Sequence, residues 1–370
     1  VNKKTRPPHR NLAISLVVAI VALVGGIGGG GWYWWQSAIA PVQNQSQSQS
    51  QTKSAANLRQ VSIPNGASAE EIGQILQQAG LIRSVTAWKV WTRWAGLQHS
   101  AGGFHAGTYQ LSPQASLPDL AQAIWSGQVQ QVSFTIPEGW SLKQMASYFD
   151  NLGWFTSQEF LDATQQIPRD RYPWLPENLP FLEGFLFPNT YQISVDQRTP
   201  EAVIGIMLTH FQDSALPVYE NRSSFSDLSL NDWVTLASIV EKEAVIADER
   251  TRIAGVFWNR LRQDITLGSD PTVEYGLGIT QTPDQPLTYA QVETPSPYNT
   301  YINAGLTPTP IASPGLASLK AVVSPEKTDF LYFVARYDGT HVFSRTLSEH
   351  LQAQAKIRDQ QDTQQNSTNL

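Results

Sequence analysis

The 370-residue sequence has no cysteine, little charge for its length and only six histidines, none of them clustered. Without cysteine there can be no disulfide scaffold, thiolate metal site or thiol nucleophile, although this does not fix a redox compartment. Charged residues make up 15% of the chain, the formal net charge is −6, and no basic cluster is large enough to track a phosphate backbone, so nucleic acid is not an expected partner. HExxH is absent and the histidines are scattered, so a closed zinc site would need a long-range constellation, and no cofactor is expected. The nucleophile elbow GxSxG is also missing. Ser324-Pro325-Glu326-Lys327 matches SxxK and Ser229-Leu230-Asn231 matches SxN, but their order is reversed from that of serine transpeptidases. The third element of that set reads KTD instead of KTG and reuses Lys327.

The chain does have long apolar stretches. Hydrophobic residues reach 41%, enough for a sizeable core, and the length allows two or three domains. Residues 12–35, LAISLVVAIVALVGGIGGGGWYWW, carry no charge and exceed the ~20 residues needed to cross a bilayer. Lys3, Lys4, Arg6 and Arg10 precede this run, and no basic residue follows until beyond Thr52. The positive-inside rule then puts residues 1–11 in the cytoplasm and the rest outside, with Trp32, Trp34 and Trp35 at the outer interface. The competing reading, a cleaved signal peptide, lacks a small-residue cleavage site. Residues 36–60, including QNQSQSQSQ, are too polar to fold and read as a linker; the tail 356–370 is again polar and is expected to fray.

An internal repeat follows. Val61–Trp88 aligns without gaps to Phe134–Leu161, with Ile63, Pro64, Gly66, Ser68, Gly80 and Ser84 recurring as Ile136, Pro137, Gly139, Ser141, Gly153 and Ser157. Each copy reads as a strand, a Pro-x-Gly turn, a serine N-cap, a helix with apolar residues four apart and a glycine stop. Duplicated βα units of this size make compact α+β modules, which can serve simply as spacers. GTYQLS at 107–112 reads as a further strand and Leu117–Gly127 as a short helix; Pro168–Pro188 reads as an apolar loop and Thr199–Phe211 as a helix.

LASIVEKEA at 236–244 puts a carboxylate on the apolar side of a helix. At ~100° per residue Trp233, Leu236, Ile239, Val240 and Glu243 share a face, while Glu241 and Lys242 point away. Burial would raise the Glu243 pKa toward the range of a general acid. The alternative is an ion pair with Arg250 or Arg252. Asp248–Leu261 reads as a second amphipathic helix, making a hairpin with Glu243 at the bend. SDPTVEYGLG at 269–278 and the Pro- and Thr-rich 293–315 read as extended; a helix at Leu316–Val323 and a hairpin of Phe330–Ala335 with His341–Ser344, turning at Tyr337-Asp338-Gly339, complete the chain.

With metal, thiol and serine chemistry set aside, acid–base work by carboxylates remains, in a region whose Tyr, Asn, Thr and Trp side chains suit sugar rings. Glu183, Glu243, Asp270 and Glu293 are the candidate acids, and only Glu243 lies in an apolar helical stripe. A glycosidase ordinarily needs two carboxylates, and Asp270 is a candidate second one; one suffices if the substrate's own hydroxyl is the nucleophile.

The blocks LEGFLFPNTYQI (182–193), LASIVEKEA, ERTRIAGVFWNRL (249–261), SDPTVEYG (269–276), ETPSPYNTY (293–301), GLTPTPIASPGLASLKA (305–321) and FLYFVA (330–335) resemble, in order, the YceG-like family of membrane-anchored endolytic murein transglycosylases. The resemblance implies an α+β chain with a single transmembrane helix, a LysM-like repeated module at 61–165 and a mixed α+β catalytic domain at 166–355. It implies cleavage of the MurNAc-β-1,4-GlcNAc bond of nascent peptidoglycan to a 1,6-anhydro-MurNAc end, terminating strand elongation at the inner membrane. Peptidoglycan, the lipid bilayer and peptidoglycan synthases are the partners this implies. The family's catalytic glutamate falls on Glu243. Glu183, Asn189, Asp270, Tyr298, Asn299 and Tyr301 are the substrate-binding candidates, with loop-fixing hydrogen bonds as the alternative for each. Where relatives commonly carry Asp, this chain has Asn189, which argues against an acid or base there. A non-enzymatic peptidoglycan-binding anchor is the alternative function, and a water-using muramidase a third.

Overall fold

The computed structural model describes residues 29–43, 58–98, 103–222, 227–282, 285–336 and 338–368. Most of the expected membrane span lies outside them. Of that span, residues 29–35 are helical, in a helix that runs to 39. Among the described residues no helix is long and apolar enough to cross a membrane.

The chain divides into two compact units, the first reaching Val132 and taking in Ser194–Gln197, the second made of Ser133–Ile193 and Arg198–Leu370. In the first unit β1 (Arg59–Ile63) pairs antiparallel with β2 (Gly107–Leu111), with Arg59 opposite Leu111 and Ile63 opposite Gly107. Between these strands run α1 (Ala69–Gln78) and α2 (Val85–Gln98), and α3 (Leu117–Trp125) follows. Ser68 and Ser116 cap α1 and α3 through reciprocal capping boxes, as their sequence positions suggest. Ile63, Ile72, Leu76, Trp88 and Tyr109 form the core. Trp35 and Ala38 pack against it, Arg83 donates to the Pro41 carbonyl at 2.7 Å and Gln43 N–H to that of Pro113 at 3.1 Å. Residues 36–43, which the sequence reads as linker, are thus docked on this unit.

The second repeat copy has the same plan. β3 (Gln131–Thr135), α4 (Leu142–Asn151) and α5 (Ser157–Gln165) are followed by β4 (Thr190–Ser194), which pairs with β3. Ser141 and Thr156 carry capping boxes, and Gly153, like Gly80 in the first copy, ends the first helix with a left-handed backbone. Each copy is therefore βααβ; the 28-residue sequence repeat takes in only the start of the second helix and none of the closing strand.

The rest of the second unit is mainly helical: α6 (Pro200–Ser214), α7 (Leu216–Glu220), α8 (Leu230–Glu243), α9 (Arg250–Arg262), α10 (Asp270–Leu277), α11 (Tyr289–Val292), α12 (Leu316–Val323) and α13 (Leu347–Thr368), with one β-hairpin. α8 is the central helix. Every residue from Trp233 to Val240 is buried, and the Trp233 indole donates to the Leu319 carbonyl of α12 at 2.9 Å. α9 packs on both α8 and α12. The hairpin of β5 (Tyr332–Ala335) and β6 (His341–Ser344) forms as read, although Tyr337 in its turn lies outside the described residues.

Two readings are corrected. Residues 269–278 are not extended: Pro271 stands in the first turn of α10, where its missing N–H costs nothing, and Gly278 stops the helix at φ 67°. The tail does not leave the helix at position 356, because α13 continues to Thr368. Its run of Gln, Arg and Lys supports helix without an apolar face.

Candidate active site

Glu243 is the last residue of α8, and the chain leaves the helix at Ala244. A carboxylate there faces the negative end of the helix dipole, which disfavours its charge. Its surroundings act in the same direction. Burial, reinforced by the nearby charges of Asp270 and Glu274, pushes its pKa up to about 7; the hydrogen bond from Ser269 and the charge of Arg260 oppose the rise.

The ion-pair alternative for Glu243 is not realised with either arginine named for it. Arg252 pairs with Glu326 at 2.9 Å, and Arg250 lies 4.0 Å from Glu241. Glu241 points away from the apolar face, as helical phase suggests, but onto another element of the fold. Its carboxylate accepts from Gly315 N–H at 3.0 Å and Ser318 Oγ at 2.6 Å, capping α12, whose own N-cap residue is a glycine. Of the two glutamates in the EKE triplet, one therefore builds the fold and the other faces α10.

Ser269 is the N-cap residue of α10 but does not cap it. Its hydroxyl donates instead to Glu243 Oε1 at 2.5 Å. The rest of Ser269 is fixed by buried hydroxyls: its N–H donates to Thr300 Oγ1 at 3.0 Å, and its carbonyl accepts from Thr272 Oγ1 at 2.6 Å. Asp270 follows directly and accepts from the Tyr301 hydroxyl at 2.6 Å. Burial first, then the charges of Asp270 and Glu243, raise the pKa of that phenol. Arg260 stands near, its guanidinium bonded to the Leu267 carbonyl at 2.8 Å and to those of Thr266 and Leu331.

A second acid sits along the same helix. Glu183 is 2% exposed, and its carboxyl accepts from Leu142 N–H at 3.0 Å and from the Tyr275 hydroxyl at 3.0 Å. Burial pushes its pKa up to about 8 against those hydrogen bonds. The next residue, Gly184, has φ 83°, and a Cβ there would lie 2.4 Å from Pro310, so this bend admits only glycine. Ser269 and Tyr275 are six residues apart, so α10 separates its grip on Glu243 from its grip on Glu183 by about 9 Å of helix rise.

The structure thus brings Asp270 and Tyr301 beside Glu243 and places Glu183 further along α10. Tyr298 packs on Tyr275 with ring centroids 4.8 Å apart and shares a hydrogen bond with Thr309. Asn299 is buried, and its amide donates to the carbonyls of Val292 and Thr294 while accepting from Tyr301 N–H, which is a loop-fixing role. Asn189 is exposed at the start of β4 and bonds His210 at 2.8 Å, tying it to α6 and not to Glu243. Glu293 is exposed at the end of α11. Ser269, Glu274, Tyr275 and Arg260 were not singled out by sequence reading. The one available signal for Ser269 was a serine ahead of Asp-Pro, a helix-start pattern.

A protonatable acid at a helix end, held by a hydroxyl and with Asp270 and Tyr301 beside it, can give and take a proton. The chain belongs to the YceG-like family, whose profile matches residues 61–356. It is 34% identical over 344 residues to an endolytic murein transglycosylase of Bacillus subtilis (strain 168), covering 89% of this chain and 90% of that one. It is 33% identical over 320 residues to an endolytic murein transglycosylase of Streptococcus pneumoniae (serotype 2, strain D39), covering 78% of this chain but spanning 56% of that relative. The crystal structure of a YceG-like protein from Listeria monocytogenes matches with a TM-score of 0.55 at 31% identity, over 80% of this chain and 99% of that one.

Proposed function

We propose that this chain is an endolytic lytic transglycosylase of murein in which Glu243 serves as both acid and base. The observation that carries the reading is the Glu243 carboxyl at the end of α8, raised to about 7 and held by Ser269. In its protonated form Glu243 donates to the glycosidic oxygen between MurNAc and GlcNAc, and the C1–O bond breaks with GlcNAc leaving as an alcohol. The Glu243 carboxylate then takes the proton of the muramyl 6-hydroxyl as that oxygen bonds to C1 of the same sugar. The product is a 1,6-anhydro-MurNAc end, no water is consumed, and Glu243 returns to its protonated state. A pKa near 7 suits this double duty, because neither protonation state is far from accessible at neutral pH. Asp270 and Tyr301 flank the acid and are the nearest of the candidate groups for orienting it or the sugar.

In the same reading residues 12–35 anchor the chain in the cell membrane with residues 1–11 in the cytoplasm, and the folded units lie on the murein side among peptidoglycan synthases. The charge asymmetry around the run supports this orientation. The βααβ copies are LysM-like, and the first, which shares none of the Glu243 chemistry, is the one available to hold glycan.

Cleavage of purified sacculi, read by product mass, tests the proposal. The parent protein should release ends one water lighter than a reducing end, and Glu243→Gln, which keeps the shape and removes the acid, should lower the rate by at least about a hundredfold. Reducing-end products would indicate a muramidase. Binding without new ends in either protein would indicate a non-enzymatic anchor.

A further inference from the structure

A cavity of about 520 Å³ runs along α10, lined by Pro271, Glu274 and Tyr275 of that helix and its C-cap Gly278, by the first turn of α4 and one side of α5, and by Lys242 of α8. The element that grips Glu243 at one end therefore forms a wall of this cavity over most of its length, about 12 Å for eight residues. Its lining mixes apolar surface from Leu142, Leu161 and Ile311 with the amides of Gln144, Gln158 and Gln165.

Its charge is distinctive. Lys143 and Lys242 come from different helices, and both are exposed. The Lys143 ammonium would lie 3.4 Å from a Cβ on Gly278, and the Lys242 stem 3.7 Å from one on Gly139, so both lie across glycines of the cavity wall. Among the described residues neither ammonium is within ion-pair distance of a carboxylate, and neither donates a hydrogen bond. The acids of the lining are otherwise engaged. Glu274 accepts from Gln281 N–H at 2.5 Å, and Glu183 is turned to Leu142 and Tyr275. Two solvated lysines on a rim are ordinarily without consequence, but here they stand at a cavity walled by the helix whose N-cap residue holds Glu243. Murein glycan stripped of its peptides is a neutral chain of amides and hydroxyls. The peptide carried on each muramyl lactyl group brings apolar side chains, amides and free carboxylates.

We propose that this cavity seats the stem peptide of the muramyl residue being cleaved, with Lys143 and Lys242 taking its carboxylates, so that the site selects peptide-bearing strands over bare glycan. The inference rests on the transglycosylase reading above. The glutamine amides meet peptide groups, the apolar wall meets alanyl methyls, and the two ammoniums recognise a charge that the sugar lacks.

The test compares initial rates of the full-length protein in detergent on two substrates: glycan strands with intact stem peptides, and the same strands after an amidase has removed them. The parent should favour the peptide-bearing strand by about tenfold or more, the scale of one charge-assisted hydrogen bond. Lys143→Gln/Lys242→Gln should bring that ratio toward one, mainly through KM, and Lys143→Arg/Lys242→Arg should keep it. Equal cleavage of the two strands by the parent overturns the proposal while leaving the transglycosylase reading intact, as does an unchanged ratio in the glutamine variant. Cleavage of neither strand overturns both.

Discussion

Ser269 Oγ donates a 2.5 Å hydrogen bond to Glu243 Oε1, so the group that positions the acid also works against its protonation. A hydroxyl donated to a carboxyl oxygen stabilises the ionised form, whereas burial and the neighbouring Asp270 and Glu274 favour the neutral one. A value of about 7 is the balance of these forces, and each can be changed separately.

Removing the hydroxyl in Ser269→Ala should raise the Glu243 pKa. A catalytic acid is lost above its pKa, so the alkaline limb of the rate profile should move to higher pH, by about one unit. The rate at the optimum should fall as well, by about tenfold, because the carboxyl loses the bond that fixes its rotamer. A pH–rate profile of the variant checks both. An unmoved limb would mean that Ser269 does not touch the working acid.

Asp270→Asn should shift the same limb in the opposite direction. Asp270 raises the Glu243 pKa by its charge, and asparagine keeps an acceptor for the Tyr301 hydroxyl while removing that charge. The alkaline limb then falls to lower pH. Measured side by side, the two variants should bracket the parent. If both move it the same way, the electrostatic account of the site fails.

The contrast between these two residues also shows how far the sequence was legible. Glu243 could be singled out because its neighbours on the helix face, Trp233, Leu236, Ile239 and Val240, follow a 3.6-residue period and are all buried. Ser269 could not, because its contact spans 26 residues and depends on the path of α10, a helix hidden by its own proline and glycine. Glu241 misled for a related reason. Helical phase gives the direction of a side chain but not what lies there, and α12, whose own N-cap is a glycine, lies there. Glu183 was visible as an acid in an apolar loop, but its partners Leu142 and Tyr275 come from helices 41 and 92 residues away. Of Asn299 and Asn189, only tertiary contacts separate an internal loop brace from an exposed residue tied to a different helix.

Glu183 should make the protein less stable as pH rises. Its pKa is about 8 when folded against an ordinary 4.5, so between those values the folded chain holds a proton that the unfolded chain has released. Unfolding then becomes more favourable with rising pH across that window and levels off above it. Below pH 4.5 the acid is neutral in both states and carries no penalty. Glu183→Gln keeps an acceptor for Leu142 N–H and cannot ionise, so its Tm should fall less steeply than the parent's between pH 5 and about 8. Parallel Tm curves for the two proteins would show that the buried acid does not hold its proton.

Glu241 and Glu243, two residues apart, should fail in different ways. Glu241→Ala removes the acceptor for Gly315 N–H and Ser318 Oγ, leaves the first turn of α12 uncapped and strips the carboxylate beside Arg250. Loss of a helix cap costs about 1–2 kcal/mol, which chemical denaturation should register as a lower midpoint with an unchanged slope. The shape of its pH–rate profile should follow the parent's, because Glu241 is not among the groups that set the Glu243 pKa. Glu243→Gln should do the reverse. It removes a half-buried ionisable group whose desolvation opposes folding, so its stability at neutral pH should equal or exceed the parent's while turnover is lost. A stable, inactive Glu243→Gln protein beside a destabilised Glu241→Ala protein with the parent's pH dependence would separate the structural glutamate of the triplet from the reacting one.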